Sequence, residues 1–479
     1  MHYHLLGIAG TAMGSLAGLL RDRGHRVTGS DEGVYPPMST LLDDLGIPYA
    51  RRFDPANLEP EPDVVVVGNA ISRGNEELEA LLERRIPYTS AARVLEEEFL
   101  RGRHVLAVAG THGKTSTTSI LAWLLESAGL EPSFLIGGVA ENFGTSYRLT
   151  DSELFVIEAD EYDTAYFDKG PKMWHYLPWT AVVTNVEFDH ADIYRDDRAY
   201  RFAFERFVNL VPRTGTLVVG WDSPGARELS AGSFAPVESF GLAEGPEHGV
   251  AAPGRASHPR WRAVDVEYGA EGTRFAIVRD GRRVADVETP LGGAFNVRNC
   301  LAAVVAARAA GAGWEGIRGG LGSFRSVRRR MEIVDEVHGV LVIDDFAHHP
   351  TAVRETLEAT HQRFPARRVV AIFEPRSYTA QRREFQEAYR RALSGADRVV
   401  LAGLFHPERY DAETGMDPTR LAASLREDGV SADYVPDVDR IVETVTGPAR
   451  PGDILLVMSN GAFGGIQTKL VEALERRRG

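Results

Sequence analysis

A glycine-rich segment with one lysine is the strongest chemical feature of the sequence. It follows the apolar run 104–109, precedes a helix-forming stretch, and consists of Gly110, Thr111, His112, Gly113, Lys114, Thr115 and Ser116. Glycines let backbone N–H groups approach a phosphate, Lys114 can reach the β- and γ-phosphates, and the Thr115 hydroxyl can ligate Mg²⁺. Val108 replaces the first glycine of the full phosphate-loop pattern, and a tight turn with a surface lysine is the alternative interpretation. The acids further along the chain favour an ATP site.

Polar side chains follow the next two apolar runs. Glu158 comes directly after three apolar residues, and His190 closes a polar segment behind the following run. Because ligands bind at the carboxyl ends of parallel strands, we expect Thr115, Glu158 and His190 to form a magnesium site. A histidine ligand is unusual for Mg²⁺, so His190 indicates a second, more specialised metal position.

Composition restricts the classes of partner. The 479 residues contain 54 Lys and Arg against 68 Asp and Glu, which gives a net charge of −14. This balance argues against nucleic-acid binding, which needs a clustered positive surface. The single cysteine, Cys300, cannot form an internal disulfide, and no run approaches the roughly 18 apolar residues of a membrane span. We therefore expect a cytoplasmic protein with no membrane partner.

Short apolar runs alternate with helix-period stretches, which is typical of α/β domains with mainly parallel sheets. We expect a Rossmann-like N-terminal domain (1–102), a P-loop ATPase-like central domain (103–324) and a Rossmann-like C-terminal domain (325–479). Alternation in 262–268, 273–278 and 283–288 predicts a small antiparallel meander in the central domain. The Gly/Pro/Ala/Ser-rich stretch 232–259 predicts a loop or insertion.

The central motifs resemble the Mur ligase family, and similar segments extend over essentially the whole chain. They are the phosphate loop, the Glu-Ala-Asp-Glu segment that begins at Glu158 and the Asn-x-x-x-Asp-His segment that ends at His190. The resemblance implies an ATP- and Mg²⁺-dependent ligase that activates a carboxylate as an acyl phosphate, with Lys114, Glu158 and His190 as catalytic residues. Further ATP contacts implied by the resemblance are Asn296, Asn299, Arg330, Asp345 and His348.

The opening segment is similar to the UDP-sugar domain of the same family. The implied contacts are Gly7, Ala9, Gly10, Thr11, Ala12, Met13, Ser30, Asp31, Asn69 and Ser72. The residues alone are less specific. The Gly7-x-x-Gly10 spacing lacks the third glycine of a dinucleotide fingerprint, and Asp31 is equally suited to cap a helix.

Several segments are more similar to the branch of the family that adds a preformed tripeptide than to the branch that adds alanine. They are 35–40, 68–75, 161–168, 373–377 and 458–465. They imply UDP-N-acetylmuramate and the tripeptide L-Ala-γ-D-Glu-meso-diaminopimelate as substrates, with alanine as the alternative amine, and a monomer or weak homo-oligomer. The implied peptide contacts are Arg376, Ser377, Ser459 and Asn460. Residues 191–213 contain no lysine, so the carbamylated lysine of other members is absent.

Local chemistry alone leaves other interpretations open. Asp160 and Glu161 are equally consistent with solvated loop charges, and Arg376 with a surface salt bridge. For the pair His348–His349, helix capping is the alternative to contact with a ligand. The run 328–330 is equally consistent with a solvated charge run. Cys300 is expected in the core rather than as a nucleophile. The remaining functional alternatives are a nucleotide-dependent binding module without ligation and a related ligase of another pathway.

Overall fold

Three α/β units follow one another along the chain. The computed structural model describes residues 1–35, 38–242, 258–405, 407–411 and 413–477. It contains sheets of five, ten and six strands and a separate two-stranded hairpin. The predicted fold class is therefore confirmed. The domain limits 1–102, 103–324 and 325–479 stay a prediction.

The first unit is a parallel sheet with the strand order β3-β2-β1-β4-β5. Its strands are β1 (His2–Leu6), β2 (Arg26–Ser30), β3 (Tyr49–Ala50), β4 (Val64–Val67) and β5 (Tyr88–Ser90). Its helices are α1 (Thr11–Asp22), α2 (Met38–Asp44), α3 (Glu76–Arg84) and α4 (Ala91–Val94), which continues as a π-helical turn, Leu95–Leu100. Val66 packs into one hydrophobic core and Val65 and Val67 into another. Both faces of the sheet are covered, which explains the uninterrupted valine run.

The second unit is built on a ten-stranded sheet with the order β17-β16-β15-β14-β13-β12-β6-β9-β7-β8. Its strands are β6 (His104–Ala109), β7 (Ser133–Ala140), β8 (Thr145–Arg148), β9 (Leu154–Glu158), β12 (Thr180–Val183), β13 (Thr216–Gly220), β14 (Val237–Leu242), β15 (Trp261–Gly269), β16 (Gly272–Arg279) and β17 (Arg282–Thr289), with the hairpin β10 (Asp163–Ala165) and β11 (Asp168–Pro171) outside it. Its helices are α5 (Lys114–Ser127), α6 (Asp197–Val208), α7 (Pro224–Leu229), α8 (Ala294–Ala309) and α9 (Trp314–Ser323). The core strands β12, β6 and β9 are parallel, so their carboxyl ends meet at one edge.

The meander is confirmed, because β15, β16 and β17 pair in antiparallel fashion. The predicted loop over 232–259 is wrong for Val237–Leu242, which forms strand β14 between β13 and β15. The composition of the stretch concealed this strand, since its apolar residues, Phe240 among them, gain their burial from packing with distant parts of the chain. The rest of that expectation concerns 243–257, which lie outside the described residues.

The third unit is a six-stranded sheet with the order β18-β19-β23-β20-β21-β22. Its strands are β18 (Glu332–Val337), β19 (Val340–Asp345), β20 (Arg368–Phe373), β21 (Arg398–Leu401), β22 (Ser431–Tyr434) and β23 (Asp453–Met458). Its helices are α10 (Pro350–Arg363), α11 (Gln386–Leu393), α12 (Pro418–Glu427), α13 (Val438–Thr446) and α14 (Ile466–Glu475). Only the edge strand β18 is antiparallel to its neighbour. In the part of the chain that the structure describes, no helix is long and apolar enough to cross a membrane.

Candidate active site

The phosphate loop lies between β6 and α5, and two of its glycines are required by their surroundings. Gly110 has φ +139°, and a β-carbon there would lie 2.0 Å from the Thr184 hydroxyl oxygen. Gly113 has φ +80°, and its β-carbon would lie 2.5 Å from Asn299 Oδ1. The strand end after β12 fixes the loop, because Asn185 Oδ1 accepts the His112 N–H at 2.8 Å. The loop is therefore narrow and shaped by its neighbours.

Lys114 begins helix α5 and carries a positive charge in a largely buried position. Its Nζ donates to the Gly110 carbonyl at 2.7 Å and to Glu161 Oε1 at 2.9 Å. Burial lowers the pKa of Lys114, but the carboxylates of Glu161 and Asp160 outweigh burial and raise it. A lysine held charged beside a glycine loop is suited to a polyphosphate ligand.

Glu158 ends strand β9 and contacts the first turn of the same helix. Its Oε1 accepts the Thr115 hydroxyl at 3.0 Å, and its Oε2 accepts the Gly137 N–H at 2.8 Å. Burial raises the pKa of Glu158, and the Lys114 charge opposes this. A hydroxyl and a carboxylate in contact offer the oxygen ligands that Mg²⁺ prefers, so Thr115 and Glu158 fit a magnesium ion.

Glu161 is the central buried acid of the site. Its side chain is 0 % exposed and contacts Lys114 Nζ at 2.8 Å and His190 Nε2 at 3.1 Å. The Tyr200 hydroxyl also donates to it at 3.2 Å. The interpretation of Glu161 as a solvated loop charge is therefore wrong. Asp160 pairs with Lys172 at 3.0 Å, but its side chain is 32% exposed, so for Asp160 that interpretation stays open.

His190, the third predicted metal ligand, contacts Glu161 rather than Glu158. Burial lowers its pKa, but the hydrogen bond that its ring donates to Glu161 and the charge of Asp189 outweigh burial and raise it. The role of His190 as a metal ligand stays a prediction.

Two asparagines of α8 reach the phosphate loop from the other side. Asn299 Oδ1 accepts the Thr117 hydroxyl at 3.3 Å, and the Asn299 amide donates to Asn296 Oδ1 at 3.3 Å. Both side chains are buried, and Asn296 also donates to the Gly292 carbonyl at 2.8 Å. The two predicted adenine-contacting residues therefore lie together beside Gly113.

The third unit contributes Arg330 to this site. Its guanidinium donates to the Thr115 hydroxyl at 3.2 Å and lies 4.5 Å from the centre of the Phe346 ring. Burial lowers the pKa of Arg330, and Asp345 opposes this. The Thr115 hydroxyl, next to the phosphate loop, thus contacts both Glu158 of the central sheet and Arg330 of the third unit.

Three family models match the chain, one over each unit. "Mur ligase family, catalytic domain" matches residues 2–103, "Mur ligase middle domain" matches 108–307, and "Mur ligase, glutamate ligase domain" matches 329–461. The chain belongs to the Mur ligase family.

Named relatives of this Mur ligase fall into two groups. UDP-N-acetylmuramate–L-alanyl-γ-D-glutamyl-meso-2,6-diaminoheptandioate ligase of Escherichia coli (strain K12) is 42% identical, and the alignment covers 100% of this chain and 99% of the relative. UDP-N-acetylmuramate–L-alanine ligase of Roseiflexus sp. (strain RS-1) is 36% identical over 96% of each chain. The crystal structure of a murein peptide ligase from Psychrobacter arcticus 273-4 covers 100% of both chains at 35% identity, with a TM-score of 0.72.

A cavity of about 210 Å³ lies between the central and third units of this Mur ligase. The cavity is lined by Tyr162, Asp189, His190, Asp192, His348, Arg376, Ser377, Tyr378, Thr379, Phe405, Arg409 and Asn460. Three of the four predicted peptide contacts, Arg376, Ser377 and Asn460, are among these residues. Asp192, Tyr378 and Arg409 were not predicted. Asp192 and Tyr378 closely follow the predicted residues His190 and Ser377, but only the fold brings them to one cavity with Arg409.

Ser459 does not line the cavity. It is 0 % exposed, and its hydroxyl donates to Glu374. The guanidinium carbon of Arg376 lies 3.5 Å from the centre of the Phe405 ring, and its Nη1 lies 3.7 Å from Glu374 Oε1. Arg376 is therefore held at the cavity wall rather than spread over the surface.

The predicted ATP contacts Asp345 and His348 occupy different surroundings. Asp345 accepts the backbone N–H groups of Met331 and Ala347, each at 2.8 Å, and burial raises its pKa. His348 faces the cavity, with its Nε2 3.9 Å from Asp189 Oδ2. His349, and not His348, caps helix α10, so the capping interpretation holds for one histidine of the pair. Their roles toward ATP stay predictions.

The predicted sugar contacts gather at the carboxyl ends of β1, β2 and β4. The turn after β1 begins at Gly7, with φ +84°, and α1 starts at Thr11 behind Gly10, which has no capping side chain. Asp31 accepts the Ala9 N–H at 3.0 Å and the Gly33 N–H at 2.9 Å. Asp31 therefore closes the turn and does not cap a helix.

The remaining sugar candidates are placed around this turn. Met13 is buried inside α1, and Thr11 and Ala12 are exposed at its start. The Ser30 hydroxyl is buried and has no hydrogen-bond partner among the described residues. Asn69 donates to the Asp163 carbonyl of the hairpin β10–β11 at 3.3 Å, and Ser72 follows it on the surface loop. This group of residues thus borders the central unit.

Proposed function

We propose that this Mur ligase is an ATP-dependent, ADP-forming enzyme of peptidoglycan recycling. It joins the carboxylate of UDP-N-acetylmuramate to the amine of L-Ala-γ-D-Glu-meso-diaminopimelate. The 3.0 Å contact between Thr115 and Glu158, next to the charged Lys114, carries the proposal. The relative in Escherichia coli bears the name of this reaction and is similar over its whole length.

The chemistry requires activation of the carboxylate, because oxide is a poor leaving group. A carboxylate oxygen of the sugar attacks the γ-phosphorus of ATP, and the bond to ADP breaks. The amine nitrogen then attacks the acyl carbon, the bond to phosphate breaks, and the nitrogen loses a proton to solvent. Lys114 neutralises the charge that develops on the transferred phosphoryl group. Thr115 and Glu158 would hold Mg²⁺, which would supply further positive charge at the phosphates.

The charged lining of the cavity favours a peptide over alanine. Arg376 and Arg409 can bind the additional carboxylates of a tripeptide, and Asp189 and Asp192 can bind an ammonium group. An amino acid with one methyl side chain would offer no additional carboxylate to Arg376 or Arg409, at a cost in affinity. The second candidate is the alanine-adding reaction, which the relative in Roseiflexus names.

The other expectations are part of the same proposal. The ATP contacts are assigned to the phosphate loop, Asn296, Asn299 and Arg330, and the sugar contacts to the turn after β1. We propose a cytoplasmic monomer or weak homo-oligomer, in line with the single buried Cys300.

The test is a product assay. The purified chain is incubated with ATP, Mg²⁺ and UDP-N-acetylmuramate, with the tripeptide or alanine offered separately, and both ADP release and product mass are measured. We expect ADP release that requires sugar and amine together, and a product that carries the tripeptide. A product formed only with alanine would replace the first candidate by the second. ADP release independent of the amine would contradict both.

A further inference from the structure

Two histidines and one glutamate meet at the junction of the central and third units. They are His112 of the phosphate loop, Glu187 behind β12, and His349 directly before α10. His112 Nε2 lies 3.0 Å from Glu187 Oε2, and His349 Nδ1 lies 3.9 Å from the same oxygen. The two imidazole rings are 4.7 Å apart between their centres. One ligand atom from each residue lies within 4.8 Å of the others.

The ring of His349 has binding capacity that the protein does not use. It is 3% exposed, and its Nε2 is buried without a hydrogen-bond partner in the described residues. Its Nδ1 accepts only the Thr351 N–H, at 3.4 Å. Buried polar atoms in native proteins rarely lack a good partner. The ring is therefore poorly satisfied by its capping role alone.

We propose that His112, Glu187 and His349 form a binding site for a borderline divalent transition-metal ion, with Zn²⁺ as the best match. Two imidazole nitrogens and a carboxylate oxygen are a donor set that Zn²⁺ accepts, and three protein ligands leave a fourth position open. Mg²⁺ prefers oxygen ligands, so this site differs in chemistry from the pair Thr115 and Glu158.

The geometry needs only local adjustment. Zn–N bonds of about 2.0–2.1 Å in a tetrahedron place ligand atoms roughly 3.3 Å apart. The 3.0 Å and 3.9 Å separations from Glu187 Oε2 already lie on either side of this value. In this arrangement Nδ1 of His349 would be the metal ligand, and a small rotation of the side chain would release its long hydrogen bond from the Thr351 N–H.

Such an ion would connect two units that must contact the same nucleotide. The Thr351 hydroxyl already donates to Glu187 Oε1 at 2.8 Å, so the start of α10 rests on the strand end that fixes the phosphate loop. A metal bond from His112 to His349 would add a direct link between loop and helix. Zn²⁺ would thereby hold the third unit against the nucleotide site and resist opening of that junction.

The test measures metal binding and does not depend on the ligase reaction. All titrations use the full chain carrying Glu158→Gln, treated with chelator, so that the magnesium position is disabled. Zn²⁺ is titrated by calorimetry, and Co²⁺ is followed by its visible absorption, which reports tetrahedral coordination. His349→Asn is compared because asparagine keeps the helix cap and removes the imidazole. Glu187→Gln keeps the acceptor for Thr351.

We expect one tight Zn²⁺ per chain in the Glu158→Gln background. Adding His349→Asn or Glu187→Gln should weaken it by about 10- to 100-fold or more, since even indirect partners of metal ligands have effects of that size. Zn²⁺ should also raise the melting temperature of the parent chain but not of the His349→Asn chain. The melting temperature without metal shows whether each variant is folded.

The matched control is His361→Asn at the far end of α10, where His361 lies 2.9 Å from the Gly395 carbonyl. It should leave Zn²⁺ binding unchanged. Absence of Zn²⁺ binding in the Glu158→Gln chain, or binding that survives both His349→Asn and Glu187→Gln, would overturn the proposal.

Discussion

The first and second units each have a glycine turn after their first strand, and the two turns differ in the charge of the side chain beside them. The turn Gly7–Gly10 follows β1, and the turn Gly110–Gly113 follows β6. The first is closed by the carboxylate of Asp31, which accepts a loop N–H at 3.0 Å. The second leads directly into Lys114, whose positive charge is balanced by buried acids.

In the proposed function, the same backbone device would serve two kinds of ligand. A cation at the start of a helix favours a polyphosphate. An acid beside a turn, such as Asp31, is suited to accept hydrogen bonds from the hydroxyl groups of the proposed UDP-sugar. Local backbone geometry alone does not separate the two turns, whereas the charged side chain beside each one does. Substitutions at both turns test whether the charged side chain determines the ligand.

The largest effect is expected from Lys114→Ala. Removal of the charge that faces the transferred phosphoryl group should lower kcat by about 10²–10³-fold. Steady-state ADP release with saturating substrates measures this loss. The control is Lys169→Ala on the hairpin β10–β11, where the lysine side chain is 68% exposed and pairs with Asp163. Near wild-type turnover of Lys114→Ala would remove the distinction between the two turns.

The next largest effect is expected from Gly113→Ala. Alanine at φ +80° is strained, and its β-carbon would lie 2.5 Å from Asn299 Oδ1. Strain of about 1–2 kcal/mol and displacement of Asn299 should lower kcat/KM for ATP by about 10- to 100-fold.

A second glycine separates backbone strain from the contact with Asn299. Gly129 has φ +73° with nothing within 4 Å of an added β-carbon. Gly129→Ala should therefore lower stability by about 1 kcal/mol and leave the kinetics for ATP unchanged. Equal kinetic losses in both variants would mean that strain, and not the contact with Asn299, is responsible.

The sequence predicts much of this fold because the apolar runs are regular. The strand, turn and helix around Lys114 and the three strands of the meander follow from periodicity and glycine positions. Strand β14 does not, because its neighbours in sequence are loop-like and its burial comes from β13 and β15.

Part of the site was predictable because functional side chains gather at the carboxyl ends of parallel strands. Thr115 and Glu158 were expected to meet, and they are in contact at 3.0 Å. Glu161 could not be told from a solvated acid, since its partners Lys114, His190 and Tyr200 are distant in sequence. Likewise, the burial of Ser459 follows from packing next to Glu374, which no local pattern reveals.

A smaller effect is expected from Glu161→Gln, which removes the counter-charge of Lys114 but keeps its shape. Because this leaves the buried Lys114 with a weaker partner, the substitution should lower the free energy of unfolding by about 1–3 kcal/mol. It should also lower kcat by roughly tenfold. Denaturant unfolding and ADP release measure the two quantities. The control is Glu153→Gln, an exposed residue just before β9.

The pH dependence of that stability difference gives an independent check. Burial raises the pKa of Glu161, but the Lys114 charge and the hydrogen bond with His190 outweigh burial and lower it below the ordinary 4.5. The contribution of Glu161 is therefore complete above pH 4.5 and declines as the pH falls below it. The gap between wild type and Glu161→Gln should narrow in acid. A gap that widens in acid would show that the carboxyl is protonated in the folded state.

The smallest effect is expected from Asp31→Asn at the first turn. Asparagine can accept only one of the two N–H groups, Ala9 or Gly33, that the carboxylate binds. Loss of about 1 kcal/mol should raise KM for UDP-N-acetylmuramate by about fivefold and leave KM for ATP unchanged. Asp44→Asn, at the exposed end of α2, is the matched control. Because Asp31 and Lys114 lie on different sheets, a parallel rise in KM for ATP would mean that the two turns do not bind separate ligands.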